Sequence, residues 1–520
     1  ITTRRATVDT CKSNFPTWNN LQNTMALTEG NLTCTGTSSS QESYSTVGIT
    51  TGKWYVEART NSGVYNHFGL RASSLPVYGS TYRLIARDDG NVYGDSSQGQ
   101  IASLSDNYNQ VGDIVAMAID GDNGQVTFYI NGVNVGGPYS IYQYSSAPTP
   151  YKIYNLVNSG NSLTINFGQN PSFSGQVTAG TNTDGNGKGL FKYAPPTGYL
   201  ALCDDNLPTP TIADPGEHFK CVLWKGNGLS GHAITKVGFK PDFVWIANRD
   251  RTTYKPWFDT VRGARKMLRS NDIAAEGTFD TVLQSFDSDG FTVGNDGAHN
   301  ADGERLVAWC WKAGGVAVGN GNGSVTSQVS ANKDAGFSIV TYSGSNDSTV
   351  TFGHGLDSAP EMVFIKRRND ANGWRVYHDQ VGLGAYLSLS NNAAQNTSAQ
   401  DFASVSATTF GVKGGYNPVS INGGTYVAYC WHSVEGYSKF GGYTGNNNTD
   451  GPCVYCGFKP AFLLLKCRTA ANGNWIILDS SRSSKNVNGL RLGANITDYE
   501  NENNTNLGND SSVGVDFLSN

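Results

Sequence analysis

The segment that decides the fold reads Asp113-Ile-Val-Ala-Met-Ala-Ile-Asp-Gly-Asp-Asn-Gly-Gln-Val-Thr-Phe-Tyr-Ile-Asn-Gly132. Two apolar runs, at 113–119 and 125–130, flank the turn sequence Asp120-Gly-Asp-Asn-Gly124, and Asn131-Gly132 supplies a second turn. Runs of this length that are rich in apolar and aromatic residues and bounded by Asp, Asn and Gly are typical of paired antiparallel strands. The segment therefore predicts a β-hairpin.

The rest of the chain has the same character. Charged residues make up only 15% of the 520 residues, while there are 63 Gly, 26 Tyr and 22 Phe. This composition favours strands and turns over exposed helices. A chain of this length is also expected to divide into several cores. We therefore expect an all-β, multidomain protein with few helices.

Charge and cysteine usage exclude several classes of function. The net charge is only −5 and no block of Lys and Arg occurs, so we expect no nucleic-acid partner. The apolar runs are far shorter than the roughly 20 residues that span a bilayer, so we expect no membrane insertion. The nine cysteines are scattered, and we interpret them as mostly free, buried thiols. We interpret Cys453 and Cys456 as two strand cysteines, because no second pair of zinc ligands is visible.

An ordered set of motifs surrounds the hairpin. The motifs are Gly52-Lys-Trp-Tyr-Val-Glu57, Phe68-Gly-Leu70, Gly112-Asp-Ile-Val115, Val126-Thr-Phe-Tyr-Ile-Asn-Gly132 and Ile165-Asn-Phe-Gly168. Together they resemble a SPRY domain. The resemblance implies a two-sheet β-sandwich over residues 46–170, with loops that can form a binding surface, and it implies no chemistry. Residues 1–45 are predicted to be an N-terminal extension with the first strands.

Residues 171–215 differ in composition and are rich in Gly, Asn, Thr and Pro. The segment contains Tyr193-Ala-Pro-Pro-Thr-Gly-Tyr199 and Asn206-Leu-Pro-Thr-Pro-Thr-Ile212, where the prolines block regular strand pairing. We predict a linker that ends near residue 215.

Beyond this linker the sequence repeats itself. One motif occurs three times, as Gly238-Phe-Lys-Pro-Asp-Phe-Val-Trp-Ile246, Leu356-Asp-Ser-Ala-Pro-Glu-Met-Val-Phe-Ile-Lys366 and Gly457-Phe-Lys-Pro-Ala-Phe-Leu-Leu-Leu-Lys466. Downstream, the sequence matches Trp257-Phe-Asp259 to Tyr377-His-Asp379 and to Ile477-Leu-Asp479. We predict three β-rich, sandwich-like repeats at 216–330, 331–436 and 437–520, which we call the first, second and third repeats.

Two of the repeats share a closing motif. Leu306-Val-Ala-Trp-Cys-Trp311 matches Tyr426-Val-Ala-Tyr-Cys-Trp431, and both are predicted to be central strands buried on both faces. The third repeat has no such motif before Asn520. We therefore expect the last repeat to be incomplete and the natural polypeptide to continue.

The repeats, with Pro195-Pro-Thr-Gly-Tyr199 and Asn206-Leu-Pro-Thr-Pro210, resemble units of virion proteins from marine tailed phages, including phages of cyanobacteria. The resemblance implies a tail fibre, an appendage or a capsid-surface protein on the virion, and it supplies no catalytic residues. We expect a non-enzymatic structural or adhesive protein without cofactors. Its expected partners are other virion proteins, further copies of itself in a homo-oligomer such as a trimer, and a host-surface glycan.

The binding residues are expected in the loops of the SPRY-like region, where aromatic rings alternate with polar groups suited to stacking on sugars or anchoring a partner protein. The candidates are Tyr65, His67, Tyr78, Tyr82, Arg83 and Tyr93. The alternative is that several of these rings fill the sandwich interior or cover its rim.

Two alternative functions remain open, a carbohydrate-binding, lectin-like extracellular protein and a glycan-degrading depolymerase. The depolymerase would need paired carboxylates in one cleft. Glu57 is followed by Ala58-Arg-Thr60, so the strand carries no acidic residues on alternate positions. This favours binding over hydrolysis.

Three further patterns have ordinary interpretations. Asp120–Gly124 and Asp287–Gly290 could gather oxygen ligands around calcium, but both fit plain turns. The seven scattered histidines lack metal-ligand spacing. The basic cluster of Arg262, Arg265, Lys266 and Arg269 is not kept in the other repeats, so we interpret it as a solvated face or an intersubunit contact.

Overall fold

The computed structural model describes residues 14–62, 65–72, 83–94, 99–141, 151–207, 210–397, 401–445, 453–483, 489–500, 509–511 and 514–516. Within these ranges the chain is built of strands and two single-turn 3-10 helices, Asp204–Asn206 and Pro215–Glu217. The predicted all-β fold class is confirmed. None of the described helices is long and apolar enough to cross a membrane.

The chain divides into two compact units. The first unit contains residues 1–209, 444–455 and 511–520, and the second contains 210–443 and 456–510. The repeats therefore do not appear as three separate bodies, because 210–443 and most of the third repeat belong to one unit.

The first unit begins with fifteen strands. They are β1 (Trp18–Asn23), β2 (Ala26–Thr28), β3 (Thr33–Thr35), β4 (Gln41–Ile49), β5 (Lys53–Ser62), β6 (Asn66–Ala72), β7 (Arg83–Arg87), β8 (Asn91–Tyr93), β9 (Gln100–Ser103), β10 (Ile114–Asp120), β11 (Gln125–Ile130), β12 (Val133–Ser140), β13 (Tyr151–Val157), β14 (Ser162–Asn166) and β15 (Leu200–Ala201).

These strands form two sheets that share one core. One sheet has the order β1-β4-β13-β6-β7-β8-β9, and the other has the order β12-β11-β10-β5-β14-β3-β2. Phe68, Leu70 and Leu84 of the first sheet and Met117 and Phe128 of the second belong to the same buried cluster. The predicted hairpin is present, because β10 pairs antiparallel with β11 through Asp120 and Gln125. The sandwich includes β1, β2 and β3, which lie in the segment 1–45 where the first strands were predicted, and β4 crosses residue 46.

Much of the predicted linker is a structural part of the first unit. Phe191, Ala201 and Leu202 lie in its buried core. Strand β15 also pairs in parallel with Trp54 and Tyr55 of β5. The Pro- and Gly-rich composition indicated irregular backbone correctly, but irregular backbone can still bury apolar side chains.

The second half of the chain continues the strand series. The strands are β16 (Phe219–Lys225), β17 (His232–Ile234), β18 (Phe243–Asn248), β19 (Pro256–Asp259), β20 (Lys266–Arg269), β21 (Gly277–Thr278), β22 (Leu283–Asp287), β23 (Gly290–Val293), β24 (Arg305–Trp311), β25 (Val318–Asn320), β26 (Ser327–Asn332), β27 (Phe337–Ser343), β28 (Thr349–Gly353), β29 (Met362–Arg367), β30 (Arg375–His378), β31 (Phe402–Val405), β32 (Thr409–Lys413), β33 (Thr425–Trp431), β34 (Cys453–Tyr455), β35 (Phe462–Leu465), β36 (Ile476–Asp479), β37 (Leu492–Gly493), β38 (Asn509–Ser511) and β39 (Gly514–Asp516).

The first and second repeats are both sandwiches of a six-stranded and a three-stranded sheet. The large sheets have the orders β16-β24-β18-β19-β20-β21 and β25-β26-β27-β33-β29-β30, and the small sheets are β17-β23-β22 and β28-β32-β31. The closing motifs form β24 and β33, each paired on both sides. Their residues are buried on both faces, as the sequence predicted.

The large sheets use their second face to build a core that all three repeats share. In β18, Val244 and Ile246 face the first repeat's own core, while Phe243 and Trp245 enter the shared core. The shared core also contains Phe364 from the second repeat and Trp475 from the third. Alternation along a strand therefore serves two cores at once.

Aromatic rings make direct contact across each boundary between repeats in this shared core. Trp257 lies 5.1 Å from Tyr429, measured between ring centroids. Phe364 lies 6.0 Å from Trp475, and Trp309 lies 5.9 Å from Phe462. Each aromatic pair adds about 0.5–1.5 kcal/mol beyond the burial of its area. The three repeats thus form a closed cycle of contacts.

Strand pairing changes one detail of the repeat alignment. Phe243 lies opposite Asp259, and Phe462 lies opposite Asp479. In the second repeat, Met362 lies opposite His378 rather than Asp379. The equivalent residues of the three repeats are therefore Asp259, His378 and Asp479. The sequence match to Asp379 was wrong by one residue.

Arginine–acid contacts join neighbouring repeats in the same cyclic order. Arg368 of the second repeat makes a two-bond contact with Glu276 of the first, with nitrogen–oxygen distances of 2.9 and 3.0 Å. Arg249 of the first repeat makes the same contact with Glu500 of the third, at 2.9 and 2.7 Å. Two parallel bonds of this kind fix geometry as well as charge.

The boundary between the second and third repeats has a similar contact, in which a neutral glutamine replaces the glutamate. Arg468 of the third repeat reaches Gln395 of the second, with Nη1 3.2 Å from Oε1. The backbone bond beneath each pair is conserved in all three places. It runs from the amide of Glu276, Gln395 or Glu500 to the carbonyl of Arg368, Arg468 or Arg249, at 2.8, 2.8 and 2.9 Å.

Two of these contacts continue inward to a fully buried ion pair. Arg262 donates through Nε to Asp259 and through Nη1 to Glu276. Tyr429 of the second repeat donates to Asp259 at 2.7 Å. Burial alone would lower the pKa of Arg262, but the charge of Asp259 and the neighbouring Tyr429 and Glu276 raise it. The guanidinium is therefore fully charged inside the protein.

The third repeat contains the same arrangement. Arg482 donates to Asp479 and to Glu500, and Trp309 of the first repeat donates its indole N–H to Asp479 at 3.0 Å. In the second repeat the equivalent positions are His378, Val381 and Gln395. All three charged groups are replaced there together.

The predicted solvated face at 262–269 is wrong for Arg262, whose side chain is completely buried. Arg265 does lie at the surface, in an ion pair with Asp280. Arg269 stacks over the ring of Tyr254 with its guanidinium carbon 4.0 Å from the ring centroid. A run of basic residues therefore includes one member that holds the core together.

We expect Arg262→Ala to destabilise the second unit by about 3–5 kcal/mol, because Asp259 would be left as a buried acid without its counter-ion and Glu276 would lose one of its two arginine partners. Arg265→Ala is the matched control from the same turn and should change stability by about 1 kcal/mol or less, since its ion pair is exposed. Denaturant unfolding of the full chain, followed by tryptophan fluorescence, measures both. Equal effects of the two substitutions would contradict the buried ion pair.

Candidate binding site

The candidate site lies on the face of the seven-stranded sheet that points away from the sandwich core. In β6, Phe68 and Leu70 belong to the core, so His67 and Arg71 lie on the opposite face. His67 is paired directly with Arg87 of β7, which places both residues on this outer face.

Four side chains form a cluster at one end of this face, which we call the aromatic–arginine cluster: Tyr65, His67, Arg87 and Tyr93. The rings of Tyr65 and His67 lie 4.7 Å apart. The guanidinium carbon of Arg87 lies 5.8 Å from the ring of Tyr65 and 5.2 Å from that of Tyr93. Arg87 also donates to the Tyr93 hydroxyl at 3.1 Å.

The exposed member of the cluster is held by its backbone. Tyr65 has a φ of +93°, a region that costs a residue with a side chain about 1–3 kcal/mol. The buried carboxylate of Asp88 accepts hydrogen bonds from the amides of Tyr65 and Asn66, which holds this conformation. The Tyr65 side chain is consequently presented to solvent, with 36% of its surface exposed.

The structure brings together three of the six predicted binding residues, namely Tyr65, His67 and Tyr93. Tyr78 and Tyr82 lie outside the described residues, and Arg83 begins β7 but its side chain is not described. Arg87 was not among the predicted binding residues. The alternation of side chains along β7 could have identified Arg87. It lies two residues after Ile85, which pairs with Tyr93, so the three side chains share one face of the sheet.

A second polar group lies on the same face. Glu42 accepts hydrogen bonds from the hydroxyls of Tyr44 and Tyr154 at 2.8 and 2.9 Å and from Arg71 at 2.7 Å. Burial raises the pKa of Tyr44 well above its usual value, so the hydroxyl stays protonated and donates. This group ties β4, β6 and β13 together on the outer face.

The chemistry of the aromatic–arginine cluster suits binding. Ring faces stack on the C–H faces of sugars or on apolar side chains, and a guanidinium donates to hydroxyls and carboxylates. Because His67, Arg87 and Tyr93 come from paired strands, their positions are set by the sheet, and Tyr65 lies directly before β6. The cluster can therefore recognise a ligand with one flat face and one polar edge.

Glu57, the carboxylate weighed for hydrolysis, has a structural position. It is fully buried and accepts hydrogen bonds from the amides of Lys192 and Tyr193, at 2.9 and 2.8 Å. Asn166 donates to it at 3.2 Å. Burial raises the pKa of Glu57 to about 7. The carboxyl group fastens the segment after the sandwich to β5.

The acidic turns use their carboxylates to brace the backbone. Asp120 pairs with Lys53 at 3.0 Å and accepts from Asn123. Asp289 accepts from the amides of Lys236 and Gly238. Among the described residues, no three His, Cys, Asp or Glu side chains are grouped to hold a metal ion. Both turns therefore have a structural explanation.

Several of the described cysteines have the predicted free form. Cys34, Cys310 and Cys430 are free and buried, Cys221 is free and half-buried, and Cys467 is free and exposed. Cys453 belongs to β34, whereas Cys456 lies just after that strand.

Comparison with known proteins identifies one family. The family model described as a domain of unknown function (DUF7483) matches residues 214–520. The chain therefore belongs to the DUF7483 family. No curated protein matches the chain.

Solved structures similar to part of the chain include two SPRY domains. The SPRY domain of human HERC1 is 15% identical, with a TM-score of 0.24, and the match covers 28% of this chain and 96% of that one. The PSpry domain of TRIM65 is 14% identical, with a TM-score of 0.23, and the match covers 29% of this chain and 92% of that one.

We expect Glu57→Gln to flatten the pH dependence of stability in the first unit. The pKa of Glu57 is about 7 in the folded chain and near 4.5 when exposed, so the folded state binds the proton more tightly. Stability from this group is complete below about pH 4.5 and is lost as the pH rises to about 7, a change of about 3 kcal/mol.

Hydrogen exchange of the β10 amides at pH 5, 6, 7 and 8 reports the opening of the first unit. Comparing the parent chain with the Gln variant at each pH cancels the intrinsic pH dependence of exchange. An identical pH profile for both chains would show that Glu57 does not titrate in this way.

Proposed function

We propose that this member of the DUF7483 family is a non-enzymatic structural and adhesive component of a phage virion, placed on a tail fibre, an appendage or the capsid surface. In this proposal the second unit is the scaffold. The first unit carries the surface that binds other virion proteins or a host-surface glycan. The chain acts as a symmetric homo-oligomer that multiplies weak contacts.

The observation that carries the scaffold role is the use of buried charge between repeats. Arg262 and Glu276 join the first repeat to the second through Tyr429 and Arg368. Asp479 and Glu500 join the third repeat to the first through Trp309 and Arg249. Separating the repeats would leave these charges without partners in a low-dielectric core. An assembly of this kind suits mechanical load.

The adhesive role is supported by the aromatic–arginine cluster. Tyr65 is exposed, and Arg87 lies against both Tyr65 and Tyr93, so two rings and a guanidinium form one patch. Aromatic and Arg side chains supply most of the binding energy in many recognition sites. A saccharide is the ligand class that this combination fits best, and the lectin-like alternative shares this chemistry.

Cryo-electron microscopy of the native particle tests the virion role. The proposal expects several symmetric copies of the chain attached to the capsid or tail, with the second unit in contact with neighbouring particle proteins. A free, monomeric protein outside any particle would favour the lectin-like alternative instead.

We expect Tyr65→Ala and Arg87→Ala each to reduce glycan binding about tenfold, because each removes one side of the patch. Lys53→Ala is the matched control, since Lys53 is a half-exposed cation on the other sheet. A glycan array probed with the full chain and the three variants measures the effect. Unchanged binding in Tyr65→Ala and Arg87→Ala, or equal loss in the control, would place glycan recognition elsewhere.

A further inference from the structure

A polar pocket lies on the second repeat, beside the start of β30. Its volume is about 370 Å³, within the range of about 300–1,000 Å³ that is usual for sites of small ligands. The aromatic–arginine cluster belongs to the other unit of the chain. We call the new feature the Arg375 pocket, and the polar residues that line it include Arg375, Tyr386, Ser388, Asn391, Asn396 and Thr397.

The guanidinium of Arg375 is held by two neighbouring side chains. Its Nε donates to Oδ2 of Asp401 at 2.6 Å, and the Asp401 side chain is fully buried. The guanidinium carbon lies 4.4 Å from the centroid of the Tyr386 ring. Asn396 in turn donates to the Tyr386 hydroxyl at 3.1 Å. The pocket therefore contains a charged donor whose position is fixed before any ligand binds.

The first repeat shows that the fold does not require these polar residues. The pairs Val376–Leu387 and Trp257–Leu268 align the two repeats in this region. In the same order, the residues equivalent to Arg375, Tyr386, Asn396 and Asp401 are Pro256, Met267, Gly277 and Val282. All four of these residues of the first repeat are apolar or glycine, and the same strands form around them.

The ion pair between Arg375 and Asp401 replaces a buried apolar pair, since Pro256 and Val282 are both buried in the first repeat. Burying the carboxylate of Asp401 removes it from water, and the contact with Arg375 offsets that loss. Replacing a buried ion pair by apolar residues is often neutral or stabilising. The stability of the fold therefore does not account for this pair, whereas binding of a ligand by Arg375 does.

We propose that the Arg375 pocket is a second binding site, which takes one uncharged saccharide unit. The charge of Arg375 is balanced by Asp401, so the pair has no net charge with which to select an anion. Ser388, Asn391 and Thr397 add neutral hydroxyl and amide groups to the lining. Such groups both donate and accept hydrogen bonds, as the hydroxyls of a sugar do.

The residues of the pocket have different roles in this proposal. A guanidinium has five N–H donors, and Asp401 takes the one on Nε. The four donors on the two Nη groups of Arg375 bind neighbouring hydroxyls of the sugar, and Ser388 and Asn391 bind further hydroxyls. Asp401 is fully buried and contacts Arg375, so it is a positioning residue.

Saturation-transfer NMR of the full chain tests the site with three neutral probes, the methyl glycosides of glucose, galactose and mannose. All measurements use a Tyr65→Ala background, so that the aromatic–arginine cluster does not contribute. We expect at least one of the three probes to bind. Adding Arg375→Ile and Asp401→Val should weaken this binding at least tenfold, because hydrogen bonds from a charged donor are lost.

The two replacements keep the fold, because they copy Ile476 of the third repeat and Val282 of the first. Circular dichroism checks this. The matched control is Lys333→Ala with Asp357→Ala, which removes an exposed ion pair of the same repeat. Binding in the control should equal that of the background chain.

A second measurement tests the role of Asp401 through the charge of the ligand. In the background chain, the methyl glycoside of glucuronic acid should bind no more tightly than that of glucose. In Asp401→Asn the charge of Arg375 is no longer balanced, so the glucuronic acid probe should bind about fivefold more tightly than before. A purely structural role of the ion pair would leave this preference unchanged.

Three results would overturn the proposal. They are the absence of binding by all three neutral probes, unchanged binding after Arg375→Ile and Asp401→Val, and an equal loss of binding in the control. The proposal depends neither on the virion role nor on glycan binding by the first unit, because the Tyr65→Ala background measures the Arg375 pocket by itself.

Discussion

Two buried ion-pair networks hold the second unit together. Each network links an aspartate, an arginine, a glutamate and a second arginine. The first network consists of Asp259, Arg262, Glu276 and Arg368. The second runs through Asp479, Arg482, Glu500 and Arg249. A single buried charge is costly, but each group here has two or more partners of opposite charge or hydrogen-bonding type. Because each network crosses a boundary between repeats, it ties the fold of one repeat to the position of the next.

The boundary between the second and third repeats shows the same constraint by its differences. His378, Val381 and Gln395 stand where the other boundaries have aspartate, arginine and glutamate. Replacing the central arginine alone would leave the buried aspartate without a counter-ion, and replacing one acid alone would leave excess positive charge. The physical cost of an unpaired buried charge explains why all three positions differ together. The backbone bond from Gln395 to Arg468 keeps the geometry without them.

The sequence was sufficient for features that depend on local pattern. The β10–β11 hairpin and the central closing strands followed from turn residues, recurrence and runs of apolar residues. The match of Asp259 to Asp379 shows the limit of local pattern. Residue identity favoured Asp379, whereas strand pairing shows that His378 is the equivalent residue. Burial of Arg262 was equally hidden, since Tyr429 and Arg368, which meet its ion-pair network, lie more than 100 residues away in the chain. In the first unit, Arg87 was missed because only strand pairing brings it beside Tyr65 and Tyr93.

The proposed function divides stability and recognition between the two units. In the second unit, the buried charges of the repeat boundaries are already matched to one another, so a ligand at those groups would have to break internal contacts. In the first unit, the carboxylates of Glu42 and Glu57 accept internal hydrogen bonds, and Tyr65 of the aromatic–arginine cluster is exposed beside paired strands. A ligand can therefore stack on Tyr65 without disturbing the fold. Rigid support beneath an exposed ring lowers the entropy cost of binding, which favours recognition by the first unit.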